Sequence, residues 1–146
     1  MDDKVTAFIE ANGSAAMVTL RRDGTPHVAR VAIGFLDGRL LSSSTAGRVR
    51  TRNLRRDPRC TLFVFESPGA RYLGLDTRTR IIEGPEVPEL TLRFFRQVQS
   101  RLPQPPRPGH VLWFGQERTD EEFLRMMVEE GRILYEFEPT RAYGLY

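Results

Sequence analysis

The sequence predicts a mainly β fold, a small antiparallel barrel with short helices packed on it, and three observations carry that prediction. Apolar runs of strand length recur about six or seven times along the chain. Asp23-Gly24 and Asp37-Gly38 fall between such runs, and an Asp-Gly pair there is a strong hairpin signal. The helical stretches do not alternate with strands in the βαβ order that a doubly wound sheet needs. At 146 residues the chain reads as one domain, 1–146, large enough to bury most of its apolar surface.

Residues 2–12 predict a helix, because Val5, Phe8 and Ile9 share one face and Gly13 is a natural stop. Residues 15–20, 25–35 and 39–44 then read as three strands of an antiparallel meander. Thr45 is placed to cap a helix from about Gly47 to Arg56, with Val49, Asn53 and Leu54 toward the core. Asp57-Pro58 ends it, since the residue before proline resists helical torsion angles. Residues 60–65 and 71–84 are strand-like. Residues 86–102 read as a helix, with Leu92, Phe95 and Gln99 at helical spacing and Leu102 following.

The stretch 103–110, "PQPPRPGH", is half proline and reads as a stiff loop. Thr119 and Glu122 form a capping box for a helix burying Phe123, Leu124, Met127 and Val128, closed by Gly131. Residues 132–139 alternate Ile133, Tyr135 and Phe137 against Leu134, Glu136 and Glu138. Residues 141–146 add an edge segment.

Composition narrows the classes. No apolar stretch is long enough for a membrane helix, and "MDDKVTAFIE" lacks the apolar core of a secretory signal. Cys60 is the single cysteine, so no internal disulfide forms and a reducing cytoplasm is the expected compartment. Its place at the head of an apolar strand reads as a buried structural thiol. His27 and His110 lack partners at metal-ligand spacing, so no metal site is expected. A glycine-rich dinucleotide fingerprint, a P-loop and a G-x-S-x-G elbow are all missing. The pairs Glu121/Glu122 and Glu129/Glu130 read as the solvated side of their helix. Any redox or transfer chemistry would therefore rest on a bound cofactor.

Residues 42–59, "SSSTAGRVRTRNLRRDPR", hold the densest charge. Among 22 Lys and Arg residues, Lys4 is the only lysine, and arginine suits forked contacts to phosphate or carboxylate. Ser43, Ser44 and Thr45 arrive where a first helical turn leaves amides unpaired, with Arg48 and Arg50 close behind. An anion cradle and a solvated helix face both fit Thr45, Arg48 and Arg50. Arg52, Arg55, Arg56 and Arg59 lie toward the helix carboxyl end, where the dipole alone accounts for cations. Net charge is only +3 and interleaved aromatics are missing, so a nucleic-acid partner is not expected.

"GRVRTRNLRRDPRCTLFV" resembles the helix-and-strand signature of the split-barrel flavin/deazaflavin oxidoreductases, the superfamily that includes pyridoxamine 5′-phosphate oxidase. "DGTPHVARV" is similar to the second strand of that superfamily, and "DEEFLRMMVEEGRILYEFEPTRAYG" to its closing helix, strand and terminal motif. The likeness is nearest to the actinobacterial F420-dependent deazaflavin group. It implies a six-stranded antiparallel split barrel of the FMN-binding type, forming a homodimer with cofactor at the subunit interface. It assigns Thr45, Arg48, Arg50 and Thr51 to the cofactor phosphate and the strand through Ala29, Arg30, Val31 and Ala32 to the ring, with Ser43 and Ser44 counted among the cofactor-binding residues. Many members carry lysine where this chain has Arg50, and a glycine where it has Thr77. F420, with several tail charges, suits the surplus of arginine and is the cofactor expected; FMN is the alternative. The implied activity is hydride transfer between the deazaflavin and an unsaturated organic acceptor. No residue stands out as proton donor, Trp113 and Phe114 are candidates for the acceptor pocket, and a non-catalytic cofactor carrier is the rival class.

Overall fold

The computed structural model describes residues 1–146. In chain order come α1 (Asp3–Ala11), β1 (Ser14–Leu20), β2 (Pro26–Ala32), β3 (Gly34–Leu36), β4 (Arg39–Thr45) and α2 (Val49–Arg56). Then follow β5 (Arg59–Phe65), β6 (Tyr72–Ile82), α3 (Val87–Gln99), β7 (His110–Trp113), β8 (Gln116–Thr119), α4 (Asp120–Glu129) and β9 (Arg132–Leu145). One antiparallel sheet has the strand order β2-β1-β5-β6-β9-β4-β3, and β7-β8 is a separate ribbon.

The expected single strand over 25–35 bends at Ile33, giving seven strands in the main sheet rather than six. The Ile33 N–H donates to the Gly13 carbonyl at 3.0 Å and its side chain is buried. β2 lies at one edge of the sheet and β3 at the other, yet only Ile33 separates them. The sheet must therefore curl until its edges meet, and the Ser42 hydroxyl donates across that seam to the Ala32 carbonyl at 2.7 Å. Alternate residues of the strands fill the interior, among them Met17, Leu62, Leu73 and Tyr135, and α1 closes it with Val5, Phe8 and Ile9.

Outside the barrel, α3 lies over Leu36, Leu41 and Leu134 through Val87 and Phe94. Leu134 is thus buried on the outer side of β9 and does not face solvent. Further along, Leu92 joins Val111, Trp113, Phe123 and Met127 in a satellite cluster. Because α3 serves both clusters, its buried face differs from the expected stripe. Phe94 is buried, Phe95 and Gln99 are half-buried, and Leu102 lies exposed beyond the helix.

The capping box of α4 forms as expected. Thr119 Oγ1 accepts from the Glu122 N–H at 3.1 Å, and Glu122 Oε1 from the Thr119 N–H at 3.0 Å. Phe123 and Met127 are buried, but Val128 is exposed. The hairpin β7-β8 was not anticipated. Gln99 pins it to α3, its amide donating to the Leu112 carbonyl and accepting from the Leu112 N–H, each at 2.8 Å. Residues 132–145 form one long strand, with a bulge in its pairing at Asp76/Thr77. No helix is long and apolar enough to cross a membrane.

Candidate functional site

The site begins with the hydroxyl run ending β4. Strand alternation sends Ser42 and Ser44 into the barrel and Ser43 outward. The Tyr135 hydroxyl, fully buried, donates to Ser44 Oγ at 3.1 Å and bonds the Thr51 hydroxyl, while Thr51 Oγ1 donates to the Thr45 carbonyl at 2.8 Å. Ser44 and Thr51, both expected to bind the cofactor, are thus engaged in a buried network joining β4, α2 and β9. The Ser43 hydroxyl is also buried and has no partner. An orphaned buried polar group of this kind costs roughly 1–3 kcal/mol and calls for a reason.

Helix α2 starts at Val49, with Arg48 as its N-cap residue and no side-chain cap. Thr45 does not cap it as expected, because it still belongs to β4, where it pairs with Arg132; only its carbonyl reaches the turn, accepting from the Arg48 N–H at 3.4 Å. Thr51, Asn53 and Leu54 form the buried face, and Val49 is 40% exposed. The first turn therefore presents amides without side-chain acceptors, flanked by cations, an arrangement that attracts anions.

Neither Arg48 nor Arg50 has a carboxylate partner, and Arg50 Nε is buried and unbonded. Burial lowers the Arg50 pKa from its ordinary value; Tyr135 opposes the shift, and the nearby charges of Arg48 and Arg132 add to it. Three guanidinium groups thus share one neighbourhood. Arg132 is the member that sequence reasoning missed, since nothing in its local pattern separates it from the other arginines. Its Nε and Nη2 donate to Glu130 at 3.0 and 2.8 Å, and its guanidinium carbon lies 4.6 Å from the centre of the Trp113 ring. The arginines farther along α2 and at the start of β5 are satisfied differently. Arg55 pairs with Glu83 at 2.6 Å, Arg59 with Asp57 at 2.8 Å, and Arg56 donates to the Leu20 carbonyl at 2.6 Å.

A hollow of about 360 Å³ opens beside this cluster, lined by Ala32, Ser43, Phe95, Trp113, Phe114 and Arg132 among others. On β2, Ala32 therefore faces the hollow, whereas the Val31 side chain lies in the core and can offer a ligand only its backbone. Ala29 and Arg30 line a second recess of about 570 Å³, with Ser14, Ala16, Val28 and Phe65, and Arg30 Nε donates to Ser14 Oγ at 3.1 Å. The structure thus gathers Arg48, Arg50 and Arg132, with Ser43 and Ala32 opening onto the adjoining hollow. It leaves the side chains of Val31, Ser44 and Thr51 outside. Cys60 is buried, and desolvation pushes its thiol up to about 12, so it is no nucleophile at neutral pH. A planar group with an anionic tail is what this arrangement can hold: aromatic walls and a strand edge beside a cluster of cations.

The family profile described as pyridoxamine 5′-phosphate oxidase matches residues 1–135. Among solved structures, the conserved hypothetical protein Rv2991 from Mycobacterium tuberculosis superposes with a TM-score of 0.73 at 21% identity, over 99% of this chain and 84% of that one. An F420 reductase gives 0.65 at 18% identity, covering 98% of each chain. HutZ, the heme storage protein from Vibrio cholerae, gives 0.67 at 14% identity, over 99% of this chain and 94% of that one. At such identities the three structures establish a shared fold.

Proposed function

Because the chain belongs to the pyridoxamine 5′-phosphate oxidase family, which includes oxidoreductases, we propose that it binds coenzyme F420 and transfers hydride between that cofactor and an unsaturated organic acceptor. The carrying observation is the half-buried Arg50, kept without a carboxylate beside Arg48 and Arg132 and next to the amino end of α2. Arg48 and Arg50 have no carboxylate and only Arg132 is offset, by Glu130, so the positive excess suits a multiply charged tail. FMN, with one phosphate, is the second choice.

The donor set fits the group. The Ser43 hydroxyl, the Arg50 Nε–H and the uncapped first-turn amides are donors in want of acceptors, and a phosphodiester supplies acceptor oxygens. When bound, reduced F420 provides the hydride from C5 of its deazaflavin ring. Arg48, Arg50 and the α2 amides anchor the tail; the outward edge of β2, from Arg30 to Ala32, positions the ring; and the walls around Trp113 exclude water from the reacting face. No side chain of the site is assigned as proton donor.

A homodimer belongs to the same proposal. Phe63, Phe65, Tyr72, Tyr143 and Leu145 are exposed on adjacent positions of β5, β6 and β9, where Phe65 pairs with Tyr72 and Tyr72 with Leu145. An apolar face of that kind is a seat for a second copy. Sedimentation should find a dimer, and Phe65→Glu with Tyr72→Glu should yield monomer; a monomeric wild type refutes this part.

The decisive test is to mix the purified protein with F420 and, separately, FMN, and to desalt each. Retained deazaflavin absorbance supports the first choice, a retained flavin spectrum the second, and retention of neither overturns both. HutZ shows that this fold also serves storage. Turnover of retained F420H2 across quinones and enones therefore separates an enzyme from a carrier.

A further inference from the structure

The arginines without a carboxylate partner are unevenly placed. Arg30, Arg78 and Arg125 are scattered over β2, β6 and α4, but Arg21, Arg22, Arg48, Arg50, Arg52 and Arg56 lie in α2, just before it, or in the turn after β1. Two bonds stitch that turn to the helix. Arg56 Nη2 donates to the Leu20 carbonyl at 2.6 Å, and Asn53 Nδ2 to Thr19 Oγ1 at 3.1 Å. The carboxylates of this end do not cancel the charge: Asp57 pairs with Arg59 and Glu83 with Arg55, which leaves Asp23 alone against the group. The net charge of +3 for the whole chain therefore conceals one strongly positive end.

Hydrogen bonding fixes several of these cations without neutralising them. Arg21 Nη1 donates to the Pro26 carbonyl at 2.8 Å and Arg52 Nη1 to the Gly47 carbonyl at 2.9 Å, as Arg56 does to Leu20. A carbonyl occupies part of the guanidinium fork and leaves the unit charge whole, and all three residues stay exposed. Holding them in place lowers the ordering cost of a further contact. Arg52 and Arg56 are one helical turn apart, with Arg48 one turn before them, so the stripe advances in steps of about 6 Å. That is close to the step between neighbouring phosphates of a nucleic-acid strand. Val49 is the one exposed apolar residue of α2, and no aromatic side chain belongs to the group.

From this we infer that the exposed side of α2 and the turn after β1 form a docking surface for double-stranded DNA, which they grip by its phosphates without reading its sequence. Arg48 and Arg50 remain with the cofactor tail, and the DNA contacts fall to Arg21, Arg22, Arg52 and Arg56. A single strand is disfavoured, because its bases need an aromatic platform. A lipid surface wants an apolar or aromatic anchor beside the cations, and Val49 alone does not make one. Net charge predicts no nucleic-acid partner; its distribution points the other way. This binding lies beyond the proposed redox activity and holds whichever cofactor is bound.

The test is fluorescence anisotropy of a labelled random-sequence DNA duplex titrated with the full-length protein at several salt concentrations. Contacts from the four arginines give log K a slope of about −3.6 on log salt, a loss of about a hundredfold between roughly 50 and 200 mM. Arg22→Gln, at an exposed side chain with no partner to lose, should flatten the slope by about 0.9 and leave the melting temperature unchanged. The quadruple variant Arg21→Gln, Arg22→Gln, Arg52→Gln, Arg56→Gln should no longer bind the duplex. Arg125→Gln makes the same change of charge on α4 as Arg22→Gln makes at the turn, and it should bind as the wild type does. No duplex binding at about 50 mM salt overturns the inference. Equal losses in Arg22→Gln and Arg125→Gln also overturn it, since overall charge would then suffice. So does tighter binding to vesicles of phosphatidylglycerol and phosphatidylcholine than to the duplex, which would make lipid the partner.

Discussion

The two ends of α2 are both rich in arginine and treat it in opposite ways. At the carboxyl end Arg55 and Arg59 are held by Glu83 and Asp57, and Arg56 by a carbonyl, so each cation has a protein acceptor. At the amino end Arg48 and Arg50 have no carboxylate, although Arg50 is half-buried and sits among like charges. Desolvating an unpaired cation costs free energy, and a carboxylate would offset that cost at once. The contrast teaches that charge density alone does not mark a site; charge left uncompensated where compensation would be easy does.

Strand β4 repeats the lesson over three residues. Ser42 and Ser44 are bonded inside the barrel, and Ser43, facing out, is not.

The sharpest way to break this comparison is the double variant Arg48→Ala, Arg50→Ala. It should lower F420 affinity about a hundredfold or more, at roughly 1.5 kcal/mol or more for each charged contact, and leave the melting temperature nearly unchanged. Equilibrium dialysis reads the first and a thermal melt the second. Wild-type affinity in that variant would show that the amino end is merely solvated.

Next in size, Tyr135→Phe removes the hydroxyl shared by Ser44 and Thr51. A loss of about 1–3 kcal/mol in urea unfolding is expected, with only a minor effect on cofactor retention. A retention loss as large as that of the arginine variant would move Ser44 and Thr51 back into the binding site.

A third measurement uses acid. Glu136 bonds Arg39 at 2.9 Å and also Arg80, and these arginines, the Arg39 bond first, hold its carboxyl down at about 2 from an ordinary 4.5. The folded value is depressed, so the stabilisation is present above pH 4.5 and is lost as pH falls toward 2. Glu136→Gln should flatten the stability curve across that window, and an unchanged slope would show the pairing to be without consequence.

Smallest of all, Arg55→Ala should cost less than about 1 kcal/mol, as an exposed ion pair does, Arg59→Ala should leave the melting temperature nearly unchanged, and neither should affect F420 retention. A clear retention loss from either would erase the distinction between the two ends.

Much of the fold is legible in residue pattern. The Asp-Gly pairs, the Thr119–Glu122 box and the break at Asp57-Pro58 each act through local geometry, and the structure contains all three. Where the sequence misleads, the cause is non-local. Residues 25–35 look like one strand because an apolar run carries no mark of the bend at Ile33, which only barrel closure requires. Leu134 looks misplaced until α3 is seen to cover it. The turn at Phe114-Gly115 has half of the expected turn chemistry, so the hairpin around it stays hidden.

The site divides along the same line. Arg48 and Arg50 announce themselves through the motif, while Arg132, separated from them in sequence by β5, β6, α3, β7, β8 and α4, joins them only through the pairing of Thr45 with β9. Which serine of the run faces outward depends on the register of β4, and composition cannot supply that.

The hinge at Ile33 has one more consequence. A sheet's unsatisfied rims are where foreign strands attach and aggregates begin, yet here both rims are successive parts of a single stretch of backbone folded toward itself. Lateral growth by strand addition is thereby discouraged, and the broad aromatic side of the sheet is left as the surface on which the proposed dimer would form.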